Sequence, residues 1–481
     1  MENRMRALMY RTVGAFVALV LAVVTTTVAG VAAASEDTNP PLYQVEESQE
    51  RSFSTGTKFF DEGTVSGNFY YFQRKRMRMS NGDDRWHNNL DHATAGVGAE
   101  FSSGFVGDFI GVDVGAFSAT DLWTSKKPYH ELAFFPHRDP WSTNWGSEHS
   151  DNGVSLHKAL VKLRHGETWW GKAGYFQPTG PGVLGTNWSV YPGTYRGAET
   201  GFTHKGFSMA AAWADQYKAP WFRDTYHFRR DDGSHVAWLW SLGARYVFDA
   251  ESALAGTTVE LAYGESENFL QNGHFKIKNQ RTLGDGDLTF GYQLYAMDDS
   301  DSSGANDNFD GPATQHFLFG KYTTGPWTFR AEYTYTLAPQ NNENNKGYFA
   351  YRLISRYGGS QGALEPDWNT RSDWNHNRES AAFVNVSRKF SIFGHKGFEA
   401  GVTYSHGWDG KARGYSTHLN ERAWAVDLIY TVPEGPLQGA TIKAHYMEYK
   451  NSTGLNDWEG FQNAFQDERD FKLLITIPFS F

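Results

Sequence analysis

The final stretch of the chain, residues 471–481, alternates between apolar and polar positions. The apolar positions are Phe471, Leu473, Ile475, Ile477, Phe479 and Phe481. Alternate side chains of a β-strand point to the same face, so this pattern predicts a strand with one wholly apolar face. A soluble domain would have to pack that face against a core. A transmembrane β-barrel can cover it with lipid instead, and this alternative fits a strand that is followed by no further element.

Two other segments, residues 327–337 and 423–432, show the same alternation. In the first, the apolar face consists of Trp327, Phe329, Ala331, Tyr333 and Tyr335. Arg330 and Glu332 lie on the opposite face, where charged side chains require water rather than an apolar core. The pattern therefore predicts strands that separate lipid from an aqueous lumen, with aromatic residues at the membrane interfaces.

The connections between these runs are alternately short and long along the chain. The short ones are residues 102–104, 165–167, 205–206, 324–326 and 433–438. The long ones are residues 121–153, 178–197, 217–234, 299–313, 338–378, 407–422 and 450–469. Short periplasmic turns and long extracellular loops are typical of outer-membrane barrels. The runs predict an all-β, antiparallel transmembrane barrel of about 18 strands, or about 16 if the weakly patterned residues 268–281 form no strand.

The N-terminus has the pattern of a secretory signal peptide. Arg4, Arg6 and Arg11 form a positive region before the apolar residues 13–24, and Ala32 to Ala34 provide small residues for cleavage. We therefore expect residues 1–34 to be a signal peptide, with a membrane anchor as the alternative. Residues 35–60 are polar and without periodicity, which predicts a flexible periplasmic segment before a barrel of residues 61–481.

Composition narrows the function classes. The chain contains 35 Phe, 25 Tyr and 17 Trp, yet its mean hydropathy is −0.56, as expected when only one face of each strand meets lipid. It has no Cys, which excludes a disulfide framework and thiolate metal sites. A net charge of −10 argues against a nucleic-acid partner.

Two motifs of catalysis are missing from the sequence. It contains no His-Glu-x-x-His and no phosphate-binding loop, and we expect no enzyme and no cofactor. A structural, adhesive or enzymatic barrel is the remaining alternative to a channel. Residues Asp299 to Asp310 have the oxygen spacing of a calcium loop, but acidic surface loops are common without an ion, and we predict no metal site there.

Several segments resemble those of a known family. They are residues 175–180 (YFQPTG), 191–199 (YPGTYRGAE), 217–221 (YKAPW), 371–375 (RSDWN) and 465–470 (FQDERD). Together they resemble the outer membrane porin D (OprD) family of Gram-negative bacteria, and within it the chitoporin-like branch. The resemblance implies a monomeric 18-stranded barrel in the bacterial outer membrane. It also implies that one loop, Pro178 to Gly197, folds into the pore.

The resemblance implies passive, substrate-selective diffusion of small hydrophilic solutes, chitooligosaccharides first among them. Basic amino acids or small carboxylates, the cargo of other branches, are the alternative. The expected partners are these solutes and the outer-membrane lipids. We also expect the barrel assembly machinery to recognise the last strand, which ends at Phe481.

A sugar-binding pore needs aromatic planes for pyranose rings and polar groups for hydroxyl and acetamido groups. The candidate residues for substrate binding or constriction are Trp188, Tyr191, Tyr195, Arg196, Glu199, Lys218, Trp221, Arg74 and Arg76. For the aromatic residues, the alternative is that they only fix the loop to the barrel wall. For Arg74 and Arg76, which share one face of a strand with Arg78, the alternative to a basic track is an ordinary wetted wall.

Overall fold

A computed structural model describes residues 57–79, 85–124, 135–136, 140–141, 150–300, 308–354, 358–455, 461 and 464–481. The predicted signal peptide and nearly all of the predicted N-terminal segment lie outside these residues. A single helical turn, Lys58–Asp61, precedes the first strand. Within the described ranges, no helix is long and apolar enough to cross a membrane.

Eighteen strands of the described residues form one barrel. Their bounds are β1 Thr64–Met79, β2 Trp86–Ser102, β3 Ile110–Thr124, β4 Gly153–His165, β5 Trp169–Phe176, β6 Thr194–His204, β7 Phe207–Lys218, β8 Leu239–Val247, β9 Thr257–Ser266, β10 Leu270–Leu283, β11 Gly286–Asp299, β12 Ala313–Thr324, β13 Trp327–Leu337, β14 Ser380–Ile392, β15 His395–Gly410, β16 Leu419–Thr431, β17 Thr441–Asn451 and β18 Glu468–Ser480. Four short strands lie in the loops: Phe135–Pro136, Ser150–Asp151, Tyr226–Arg229 and His235–Val236.

Each strand pairs antiparallel with its neighbours in sequence, and β1 pairs with β18 to close the barrel. The closing register runs from Ser66 opposite Ser480 to Arg78 opposite Glu468. Beyond it, Phe481 donates its backbone N–H to the Val65 carbonyl at 2.8 Å. The weakly patterned segment is a full strand, β10, so the barrel has 18 strands rather than 16.

The two faces of the strands differ as the alternation predicts. Phe69 on β1 and Leu428 on β16 are more than half exposed on the outer face, where lipid covers such side chains. On the inner face, Asn68 of β1 and Glu332 of β13 are buried. Polar side chains on the inner face are covered because segments of the external loops fold into the lumen.

Connections at one end of the barrel are short, for example residues 325–326 between β12 and β13. The other end carries the long connections, of which residues 338–379 between β13 and β14 are the longest. A large apolar cluster at this end joins the loops to the strand ends. It includes Trp221 and Phe222 after β7 and Phe349 and Ile354 from the longest loop. This packing directs two loop segments, residues 177–193 and 361–376, inward.

Candidate solute-binding constriction

The loop of residues 177–193, between β5 and β6, enters the lumen beside the Glu199 carboxylate. Glu199 Oε1 accepts the backbone N–H of Gly180 at 2.8 Å, and both of its oxygens accept that of Thr179 at 3.1 Å. Lys172 Nζ lies 2.8 Å from Glu199 Oε2 and neutralises its charge. Because Glu199 is buried, these bonds replace the water that the carboxylate and the loop amides would otherwise need.

The middle of this loop contacts strand β8 of the barrel wall and a second loop. The Val183 N–H donates to Ser241 Oγ on β8 at 2.8 Å. The Val183 carbonyl accepts the Ala363 N–H at 2.9 Å, and the Gly185 N–H donates to the Gln361 carbonyl at 2.9 Å. Backbone bonds thus join the two inserted segments inside the lumen.

The far end of the loop is held by Tyr191. Its ring stacks on Phe117 of β3, and its Oη donates to Asn68 Oδ1 of β1 at 3.0 Å. The ring of His157 on β4 lies 5.0 Å away, centroid to centroid. Gly98 of β2 gives the tyrosine room, because a Cβ there would lie 2.0 Å from the Tyr191 Oη.

The second inserted segment, residues 361–376, follows the inner wall from β10 to β18. Three ion pairs mark its path: Lys276 with Glu365 at 3.0 Å, Arg330 with Asp367 at 3.7 Å, and Arg371 with Glu468 at 3.5 Å. This insertion was not predicted from the sequence. A signal was available in the charges of the loop, because Glu365, Asp367 and Arg371 are complementary to charges on inward faces of strands.

Two carboxyl groups of this segment sit in different electrostatic surroundings. Burial raises the pKa of the Asp367 carboxyl above its ordinary value, although the charge of Arg330 opposes the shift. Burial also acts to raise the pKa of Glu365, but Lys276 and Lys278 outweigh it and hold that pKa below its ordinary value. Glu365 therefore stays ionised as the partner of Lys276.

A cavity of about 360 Å³ lies between the inserted loop and strands β1 to β5. Its lining is formed by Ser66, Gly67, Asn68, Ala99, Glu100, Asp113, His157, Lys158, Leu160, Lys172, Gln177, Thr179, Trp188, Val190, Tyr191, Pro192 and Thr476. Trp188 is 49% exposed, so much of its indole is open to solute. Acidic and basic side chains of the wall are paired, with Lys158 Nζ 2.5 Å from Glu100 and Lys162 Nζ 2.8 Å from Asp113.

Only some of the predicted site residues meet at this cavity. Trp188 and Tyr191 line it, and Glu199 borders it through Lys172. Tyr195 and Trp221 are buried in the apolar cluster, where the Tyr195 Oη donates to the Gln361 carbonyl at 3.0 Å.

The remaining predicted residues lie elsewhere. Lys218 is buried and donates to Ser155 Oγ at 2.6 Å, and Arg196 is paired with Asp215 on the adjacent strand. Neither residue is part of the cavity lining. Phe117, His157 and Gly98, which fix Tyr191, were missed, because only the insertion of the loop into the lumen brings Tyr191 against their strands.

The predicted arginines of β1 are buried and paired with acids of β18. Arg74 forms a two-pronged ion pair with Asp470. Arg76 lies 3.9 Å from Glu468, which also accepts from Arg78 at 2.7 Å. A basic ladder is therefore present along the seam of the barrel, but facing carboxylates compensate its charge. Neither Arg74 nor Arg76 lines the cavity.

Residues 58–481 match the family model described as outer membrane porin, OprD family. The chain belongs to the OprD family. The protein is accordingly an outer-membrane porin, and family and fold together point to a channel rather than an enzyme. A curated relative, the chitoporin of Escherichia coli (strain K12), is 33% identical over 444 residues, which cover 88% of this chain and 92% of that protein.

Solved structures of other proteins share the fold. OpdK of Pseudomonas aeruginosa, determined with vanillate, aligns with a TM-score of 0.70 at 19% identity, covering 88% of this porin and all of OpdK. OccAB1 of Acinetobacter baumannii aligns with a TM-score of 0.71 at 18% identity, covering 90% of this porin and all of OccAB1. Identities this low support the common barrel only.

Proposed function

We propose that this porin admits chitooligosaccharides by passive diffusion, and that the indole of Trp188 binds a pyranose ring in the constriction. The observation that carries the proposal is the half-exposed Trp188 in a cavity whose charges are paired. A sugar ring packs its C–H face on an aromatic plane, and the polar groups beside that plane can bond its hydroxyl and acetamido groups.

The paired charges also favour a neutral solute. Lys158, Lys162 and Lys172 each have a carboxylate partner within 3 Å. A carboxylate or a cationic amino acid would have to displace one of these partners to gain an ion pair, whereas an acetamido group needs only hydrogen bonds. The chitoporin relative supports the same substrate class.

The proposal includes three further points. We propose that residues 1–34 direct export, that the strand ending at Phe481 is read by the barrel assembly machinery, and that the barrel acts as a monomer. Closure of the strand order through β1 and β18 within one chain supports the last point, since the barrel needs no second chain to complete its sheet.

Single-channel recording in a planar bilayer tests the substrate. Chitohexaose should interrupt the current at lower concentrations than maltohexaose, arginine or vanillate do. The Trp188→Ala variant should weaken chitohexaose blockade by roughly 2- to 12-fold, which corresponds to an aromatic contact of about 0.5–1.5 kcal/mol, while the open conductance stays similar or rises.

Trp424→Ala is the matched control, because Trp424 lies on the lipid face and is partly exposed. It should leave blockade unchanged. Equal blockade by chitohexaose in the Trp188 variant and the parent would contradict the role of Trp188. Blockade by arginine or vanillate alone would instead assign the porin to basic amino acids or carboxylates.

A further inference from the structure

Three buried side chains meet where the longest loop returns to the barrel. They are His376 and Glu379, just before β14, and Glu421 on β16, and none is more than 1% exposed. Each offers one ligand atom to a group whose atoms all lie within 4.8 Å of one another. The group is separate from the candidate constriction, which lies against β1 to β5.

The charges of this group are not balanced by the described protein. His376 Nδ1 lies 3.0 Å from Glu379 Oε2, but no Lys or Arg among the described residues forms an ion pair with Glu379 or Glu421. Burying two adjacent carboxylates without a compensating positive charge costs free energy, and buried charges are therefore normally paired or bound to a metal.

One oxygen of the group provides a second, independent observation. Glu379 Oε1 is buried and has no hydrogen-bond partner in the described part of the chain, whereas Oε2 accepts the His376 N–H at 3.0 Å. Gly407 borders Oε1 so closely that a Cβ there would lie 2.3 Å from it. An oxygen in this position needs a proton or a cation.

We propose that His376, Glu379 and Glu421 bind one divalent transition-metal cation of the Zn²⁺ class. One imidazole nitrogen and two carboxylates are a donor set that suits Zn²⁺. Ca²⁺ and Mg²⁺ prefer six or more oxygen ligands, so the nitrogen argues against them. Such a cation would balance the two carboxylate charges and use the Glu379 Oε1.

Neighbouring hydroxyl groups orient Glu421 as outer partners of a metal ligand do. Ser372 Oγ donates to Glu421 Oε1 at 2.6 Å, and the Tyr449 Oη donates to Oε2. Ser372 belongs to the inserted segment of residues 361–376. The cation would therefore join the base of that segment to β16 and limit its movement in the lumen.

Metal binding by the full-length protein in detergent tests the proposal. After chelation with EDTA, the protein is refolded with and without Zn²⁺, because the three ligands are buried, and bound metal is counted by elemental analysis. We expect about one equivalent of Zn²⁺, a higher melting temperature, and visible absorption when Co²⁺ replaces Zn²⁺. Glu379→Gln and His376→Ala should each weaken binding by at least about tenfold.

His418→Ala is the control, because His418 is an exposed histidine of the neighbouring β15–β16 connection and should leave binding unchanged. Absence of bound metal in the unaltered protein would overturn the proposal. A rise in melting temperature for Glu379→Gln would then indicate that Glu379 and Glu421 share a proton instead. Binding that survives both Glu379→Gln and His376→Ala would also overturn it, by placing the ion elsewhere. The unaltered protein decides the first point even if a variant fails to fold.

Discussion

Tyr191 stacks face to face on Phe117, with ring centroids 4.6 Å apart and ring planes 9° apart. The pair joins the end of the inserted loop to strand β3, and only 7% of Tyr191 is exposed. Phe117 covers one face of the tyrosine ring and the ring of His157 lies close by, so little of it remains for a sugar. We therefore expect Tyr191 to position the loop and Trp188 to contact the solute.

Truncation of Tyr191 should widen the constriction. Tyr191→Ala removes the stacked ring and the hydrogen bond to Asn68, and we expect a higher single-channel conductance with larger current fluctuations. Tyr191→Phe keeps the stack and loses only the hydrogen bond, at a cost of about 0.5–1.5 kcal/mol, so its conductance should stay near that of the parent. Equal conductance in all three proteins would show that the ring does not hold the loop.

Gly98→Ala should disturb the same contact from the barrel wall. The new methyl group would lie 2.0 Å from the Tyr191 Oη, so the ring must move and the bond to Asn68 is lost. We expect conductance and fluctuations to rise as in Tyr191→Ala, and we expect no further change when Gly98→Ala is added to that variant. Gly320→Ala is the control, since nothing lies within 4 Å of a Cβ at that glycine.

Glu199→Gln should loosen the start of the loop. The variant loses the charge that strengthens the bonds from the Thr179 and Gly180 amides, and it leaves Lys172 without its carboxylate. A charge-assisted hydrogen bond is worth about 1.5–3 kcal/mol, so we expect frequent flickering between current levels. Glu251→Gln, in an exposed short turn, should record like the parent.

The pH dependence of the second inserted segment should follow Glu365. Its pKa is held below the ordinary glutamate value, so its ion pair with Lys276 contributes stability above that ordinary value. The contribution is lost as the pH falls through the lowered pKa. Glu365→Gln lacks the ion pair at every pH, and we expect it to show larger current fluctuations than the parent at neutral pH.

The difference between Glu365→Gln and the parent should therefore be present at pH 7 and about pH 5 and disappear in stronger acid. Asp367 is present in both proteins, so its titration affects both recordings and does not contribute to the difference between them. A difference that persists unchanged in strong acid would show that the variant acts through something other than the charge of Glu365.

The strand pattern could be predicted from the sequence because it depends only on residues that are close together in the chain. Alternation in β13 and β18 follows from the two-residue repeat of a strand, and lipid on one side with water on the other imposes it on each strand separately. The same locality explains why Arg74, Arg76 and Arg78 were placed together on one face of β1. It also allowed recognition of the loop at residues 178–197, whose chain actually enters β6 at Thr194.

The roles of the site residues could not be predicted in this way, because they depend on contacts with residues that are distant in sequence. Trp188, Tyr191 and Tyr195 look alike in the sequence, yet one is open to the cavity, one stacks on Phe117 and one is buried against Tyr217. The sequence does not reveal the partner of Arg74, because Asp470 comes from the other end of the chain and reaches it only when β1 meets β18.

Residue order alone was thus sufficient for the barrel, its family and the identity of one inserted loop, because each depends on periodicity or on short contiguous segments. Tertiary structure decided which aromatic ring faces solute, which charges are compensated, that the longest loop also enters the lumen, and that His376 and Glu379 meet Glu421. These properties depend on contacts between residues far apart in sequence, which form when the barrel closes and the loops enter the lumen.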